Sequence, residues 1–184
     1  MSNNTKVEEL FNAKVHLGHK SNRVHPKAKK YIYTIENSVS VIDLTQTVSQ
    51  LEKAKQFLTD LQAAGKIIVF VATKKVAADF VKKICQDNHL AYITTKWPAG
   101  FLTNFEVIKK NIKKMNTMQQ EKEQGEWNKF VKHEQIKMGK ELNRLEKFYG
   151  GVSTLEKIPD ALFVIDIKKE KNAINEAKKM QLPI

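Results

Sequence analysis

Apolar positions fall into two kinds of run along this chain, and their order predicts the fold. Lys66–Val71, residues 90–94 and Asp160–Ile165 are nearly unbroken apolar stretches of strand length. Lys75–Asp87 and about 170–181 instead carry apolar residues three and four apart, the spacing of a helix face. Continuous apolar strands alternating with helices are strands buried on both faces, hence a parallel α/β sheet. Upstream, Val7–Lys14 reads as a short helix with Leu10 and Phe11 free to pack. Tyr31–Ile35 and Val39–Ile42 alternate apolar and polar residues about Glu36-Asn37, as a β-hairpin does. Asp43 or Thr45 can cap a helix over about 46–64, with Val48, Leu51, Phe57, Leu58 and Leu61 as its core stripe. Gly65 closes that helix, since it takes the left-handed conformation at no Cβ penalty. Residues 14–30 are too rich in His, Asn and Pro to predict regular structure.

Residues 104–149 break the alternation. Phe105, Ile108, Ile112, Met115 and Gln119 step by three and four, as do Val131, Gln135, Met138, Leu142, Leu145 and Tyr149, with Gly125 between the two runs. The simplest solution is an antiparallel hairpin with a coiled-coil seam, inserted into an α/β domain made of 1–103 and 150–184. Asn104 stands where its side-chain oxygen can cap the first of those helices, and Gly150-Gly151 lets the chain turn back to the sheet. Only three parallel strands are expected, while Leu182-Pro183-Ile184 reads as the approach to another. Ala173, Ile174, Ala177 and Met180 then form a stripe with little sheet to cover. The expectation is a domain incomplete at its C-terminal end, or one completed by a partner.

Charge changes the picture from fold to partner. The formal net charge is +12, almost all from lysine, with Arg23 and Arg144 the two arginines, while 41% hydrophobic content excludes a disordered tail. Such an excess favours a polyanion, because each phosphate neutralised releases condensed counterions. The cations cluster: residues 14–30 hold Lys14, Lys20, Arg23, Lys27, Lys29 and Lys30 and no acid. Lys109, Lys110, Lys113 and Lys114 recur opposite the apolar face of the first hairpin helix, and residues 107–120 contain no acid. Lys74 follows the first buried strand and Lys96 precedes Trp97, whose ring either stacks on a base or anchors the core beneath the hairpin. The candidate RNA contacts are thus Lys20, Arg23, Lys27, Lys29, Lys30, Lys74, Lys96, Trp97, Lys109, Lys110, Lys113 and Lys114.

Other chemistry finds little support. A lone Cys85 excludes a disulfide framework and a thiolate metal cluster, and reads as a buried structural thiol. No signal-peptide core and no membrane-length apolar run occur, which implies a reducing, cytosol-like setting. His16, His19 and His25 sit among cations that would repel a metal ion, so backbone or RNA hydrogen bonds suit them better. Asp43, Asp160 and Asp166 stand at strand ends, where carboxylates more often cap than catalyse. Neither G-x-G-x-x-G, G-x-x-x-x-G-K-[ST] nor G-x-S-x-G is present. A nucleotide-dependent α/β enzyme with its site at Thr73-Lys74 therefore lacks its phosphate loop. The remaining rival is a protein adaptor acting through Trp127 and Phe130 at the hairpin tip. No cofactor or small-molecule substrate is expected.

An ordered set of short blocks resembles the bacterial-type small-subunit ribosomal protein S2 family. It runs from Val15-His16-Leu17-Gly18-His19 through His25-Pro26-Lys27, Ile42-Asp43-Leu44 with Thr47-Val48, and Val71-Ala72-Thr73-Lys74. Lys96-Trp97, Leu102-Thr103-Asn104, Gly150-Gly151 and Pro159–Asp166 continue it in the same order. The resemblance implies a flavodoxin-like parallel sheet bearing a coiled-coil hairpin, docked on small-subunit (16S-type) rRNA beside neighbouring ribosomal proteins. It also implies a cytoplasmic, ribosome-bound location, no catalysis, and possible recruitment of ribosomal protein S-one. Two departures stand out. Lys96 and Ala99 replace an arginine and the first glycine of the family's Arg-Trp-x-Gly-Gly, so the bidentate phosphate fork of arginine is lost. The further strands and Asp-rich loop that end family members are missing from this sequence.

Overall fold

A computed structural model describes residues 3–184, with side chains from Lys6 onward. It divides into two compact units, Met1–Asp60 and Leu61–Ile184. The first carries α1 (Asn3–Asn12), β1 (Leu17–Lys20), β2 (Ile32–Glu36), β3 (Val39–Ile42) and most of α2 (Leu44–Ala63). Its antiparallel sheet has the order β1-β3-β2. The expected hairpin is β2–β3: Glu36 faces Val39 across Asn37 and Ser38, both with positive φ (47° and 63°), a turn whose twist matches paired strands. β1 lies where irregular chain was expected. Its sequence, Leu17-Gly18-His19-Lys20, lacks alternation, and it is held instead by its partner: Leu17 pairs with Val41, and the Ser40 hydroxyl donates to the His19 carbonyl at 2.9 Å.

Asp43 caps α2, accepting from the Thr45 N–H at 2.9 Å and the Gln46 N–H at 3.4 Å. The Thr45 hydroxyl bond, first, and Gln46 hold its carboxyl below the ordinary carboxylate range. The predicted stripe is covered in part: Val48 is buried and Leu58 and Leu61 are half-buried. Leu44 is buried too, whereas Leu51 and Phe57 are 44% and 46% exposed. A helix of this length runs about 30 Å, roughly twice a four-residue strand, so a small sheet cannot cover it. Gly65 (φ 65°) ends α2 as expected, with the Lys66 N–H on the Leu61 carbonyl and the Gly65 N–H on that of Gln62.

The second unit holds β4 (Ile68–Val71), α3 (Lys75–Asp87), β5 (Ala91–Ile93), α4 (Phe105–Glu123), α5 (Lys132–Tyr149), β6 (Ala161–Val164) and α6 (Lys171–Lys179). The three strands are parallel in the order β5-β4-β6, the α/β sheet the apolar runs predicted. Alternate residues serve opposite faces. Phe70, Tyr92 and Ile165 pack with Ala72, Val81 and Cys85 of the α3 side. Val69, Val71, Ile93 and Leu162 join Trp97, Phe101, Phe105, Ala173 and Ala177 on the other. The α6 stripe is therefore not idle: Ala173 and Ala177 are fully buried against this larger core, and Met180 alone stays well exposed. At the outer side of β6, the Leu162 N–H donates to the Pro183 carbonyl at 3.0 Å.

α4 and α5 pack side by side in opposite directions, Asn111 meeting Tyr149 and Lys114 meeting Glu141. Phe105, Ile108 and Ile112 belong to the sheet core, while Met115, Met118, Trp127, Leu142 and Leu145 form a separate cluster farther along. Two expected seam positions are wrong. Met118 is buried in place of the exposed Gln119, and Val131 caps α5 at 67% exposure. The Trp127 indole, buried with Met115, Met118, Leu142 and Leu145, closes this cluster instead. Asn104 does occupy the N-cap of α4, but its side chain makes no capping bond; its carbonyl accepts from Val107 instead, at 3.2 Å.

What shapes the loop after β5 is a carboxylate from α6. Glu176 accepts the Trp97 indole N–H at 3.0 Å and the Gly100 N–H at 2.9 Å on one oxygen, and the Leu102 N–H at 3.0 Å on the other. Phe101, buried between, meets Trp97 edge-on at 5.0 Å and Phe105 at 6.2 Å. The left-handed residue here is Gly100 (φ 81°), not Ala99, so alanine costs nothing at its position. Of the paired glycines, Gly151 works by space rather than rotation, while Gly150 faces open space. Neither has positive φ, but a Cβ on Gly151 would overlap the Tyr92 carbonyl oxygen and ring.

Two stability predictions follow from these contacts. Gly151→Ala should destabilise the chain by about 2 kcal/mol in urea unfolding, the usual cost of forcing atoms into packed space. Glu176→Gln should cost about 2–3 kcal/mol, since its amide turns one acceptor into a donor facing donors. In a Trp127→Phe background the same variant should red-shift Trp97 emission; an unchanged spectrum and midpoint would show that the loop holds its shape without this carboxylate.

Candidate nucleic-acid interface

In the first unit the basic segment forms two 3-10 turns, Ser21–Arg23 and Pro26–Tyr31. Pro26 sets the first φ of the second turn, and the His25 Nδ1 accepts the Lys27 N–H at 3.2 Å to start it. This is the backbone role expected of a histidine here. The turns present Arg23, Lys27, Lys29 and Lys30 to solvent, with Lys20 exposed at the end of β1. Among the described residues none of these five cations makes an ion pair. The Lys30 ammonium lies 4.8 Å from the Tyr31 ring centre, and Tyr33 on β2 is 79% exposed. The sequence marks Tyr33 only as a strand position of the hairpin, and nothing in its spacing singles it out as an exposed ring. His16 differs, stacking on Phe11 at 4.3 Å with its buried Nδ1 unpartnered among the described residues.

In the second unit the four hairpin lysines separate. Lys109 and Lys113 line a groove with Asn116, Ser153, Thr154 and Glu156, whose floor is Ile112 and Leu155. The Asn116 amide donates to the Ser153 carbonyl at 3.1 Å and fixes one wall. Lys110 is exposed. Lys114 is paired with Glu141 across the helices, which holds the Glu141 carboxyl below its ordinary range. They are thus not one stripe: a 100° step per residue sends 109 and 113 to one flank of the apolar face and 114 to the other.

The Thr73-Lys74 loop is already filled by the protein's own acids. Glu170, only 4% exposed, accepts the Thr73 N–H at 3.2 Å and the Thr73 hydroxyl. Lys74 donates to Asp166 at 2.9 Å, and that bond is the main cause of the lowered Asp166 carboxyl. Asp166 also accepts the Lys169 N–H at 3.2 Å. Asp160 is no helix cap: it takes the Ile67 N–H at 3.0 Å and Lys66 at 3.2 Å, tying the starts of β4 and β6 together. The backbone bond from Ile67 chiefly lowers its carboxyl. The Thr73 N–H, the Thr73 hydroxyl and the Lys74 ammonium, on which a nucleotide phosphate here would draw, are therefore engaged.

The two tryptophans are both buried. Trp97 is 6% exposed with its N–H on Glu176, so it anchors the core and does not stack on a base. Trp127 is 7% exposed in the α4–α5 cluster, leaving Phe130, at 46%, as the exposed ring of the tip. Lys96 is exposed beside the loop. Cys85 is 1% exposed, and burial raises its thiol, as a structural cysteine requires. No helix among the described residues is long and apolar enough to cross a membrane.

The family model described as Ribosomal protein S2 matches residues 10–184. That span takes in the antiparallel sheet with its basic turns, the parallel sheet, the Glu176-bound loop and the α4–α5 pair. The chain belongs to the ribosomal protein S2 family, whose members are structural proteins of the small ribosomal subunit.

Proposed function

We propose that this chain docks on small-subunit rRNA and supports translation as a structural element, through phosphate contacts and shape rather than base-edge readout. The observation that carries the reading is the cluster at the end of β1 and on the two 3-10 turns: Lys20, Arg23, Lys27, Lys29 and Lys30, all exposed and unpaired among the described residues. Exposed Tyr31 and Tyr33 add stacking surfaces to it. Lys96, Lys109, Lys110 and Lys113 extend the interface on the second unit. Lys74 and Lys114 contribute less, because Asp166 and Glu141 already neutralise them. In this reading the parallel sheet is flavodoxin-like, the α4–α5 pair is a coiled-coil arm, and neighbouring ribosomal proteins, S-one among the candidates, complete the setting in the cytoplasm. The rival sites fare worse: the Thr73-Lys74 loop is filled by acids, and the tip has withdrawn Trp127 into the core.

The test is the salt dependence of affinity for a small-subunit rRNA fragment. Replacing Lys27, Lys29 and Lys30 together by Gln should flatten the slope of log K against log salt by about two to three. Replacing Lys53 and Lys55 of α2 should leave it within error of the parent. Equal slopes for both variants would remove the 3-10 turns from the interface.

A further inference from the structure

A cleft in the second unit has the chemistry of a nucleotide site. It opens where the loop after β5, α4, the last turns of α5 and the first turn of α6 converge. Lys96 and Arg144 supply two cations on its lining, and neither is ion-paired among the described residues. Phe148 and Tyr149 supply two half-buried rings, tilted by 51° with centres 6.4 Å apart. The Asn111 amide donates to the Tyr149 hydroxyl at 3.4 Å, which leaves the phenol proton free for a ligand acceptor. Asn172, exposed on α6, adds an amide able to give and take hydrogen bonds.

We propose that this cleft accepts one unpaired nucleotide of the bound RNA, its base lying against Phe148 and Tyr149 and its phosphate between Lys96 and Arg144. The proposal rests on the RNA-docking reading and sharpens it: most contacts are to backbone, but here one base leaves its stack. Physical reasons favour that occupant. Aromatic faces beside paired cations match the two halves of a nucleotide, and a base gains stacking on a ring whatever its identity. Arg144 is the sole arginine of this unit, and its planar fork suits a phosphate where lysine offers only a point charge. The cleft is also held open by rigid parts. Trp97 and Gly100 are bound to Glu176, and the Thr95 hydroxyl donates to the Lys147 carbonyl at 2.8 Å, fastening the loop to α5.

The experiment uses the full chain bound to small-subunit rRNA carrying 4-thiouridine, with ultraviolet cross-linking and peptide mapping. An adduct within residues 144–149, lost in Phe148→Leu, is expected. Without cross-linking, Phe148→Leu should weaken RNA binding about tenfold at unchanged salt slope, because stacking carries no charge. Arg144→Gln, an exposed change that leaves packing intact, should lower the slope by about one. If the chain binds rRNA but neither variant alters affinity and no adduct maps to 144–149, the cleft proposal is overturned while RNA docking stands. Absence of any salt-sensitive rRNA binding by the parent would overturn the docking reading itself. Saturation of the cleft by free AMP or UMP in an Arg144-dependent manner, without competition against RNA, would assign the site to a free nucleotide and refute the RNA assignment.

Discussion

One carboxylate organises the second unit. Glu176 gathers three N–H donors from the loop between β5 and α4, residues 94–104, which has no regular structure to satisfy them. Left unpaired, each buried donor would cost on the order of 1–3 kcal/mol, enough together to unfold a marginal chain. With the loop so held, Trp97 and Phe101 are fixed under α4, and the start of α4 fixes where its lysines stand. Glu170 does the same at the loop after β4, through Thr73. Both acids belong to α6 or its N-cap, so one short helix sets the two loops at the C-terminal ends of adjacent parallel strands. In many α/β proteins that position takes a ligand phosphate; here the chain supplies its own anions.

The same economy sorts the cations. Lys66, Lys74 and Lys114 neutralise acids within the unit and help hold it together. Lys96, Lys109, Lys110, Lys113 and Arg144 make no ion pair among the described residues, nor do the five cations around the 3-10 turns of the first unit. The net charge of +12 therefore overstates what is free for a partner at some lysines and understates the concentration of it at others. Position, not count, carries the functional argument.

Much of this was legible beforehand, for reasons of periodicity. Residues buried on both faces of a strand leave an unbroken apolar run, so β4 and β6 announced themselves; α3 was read residue for residue at Lys75–Asp87. β1 was hidden because its pairing is decided by β3 rather than by its own pattern. The half-empty stripe of α2 was over-read, since amphipathic spacing shows what a helix could bury, not what cover exists. Glu176 was invisible for a different reason: one acid in a lysine-rich helix gives no local sign that its partners lie 74–79 residues earlier. The split of the hairpin lysines was available from helical angles alone, but their pairing depended on Glu141 across the helix pair.

The most direct test of ribosomal docking is sucrose-gradient sedimentation of a lysate containing this chain, repeated at moderate salt, at high salt and after ribonuclease. The account predicts co-migration with small subunits at moderate salt, released by either treatment, because the contacts are to phosphate. A chain that stays at the top of the gradient in moderate salt, while small subunits sediment normally, would contradict it.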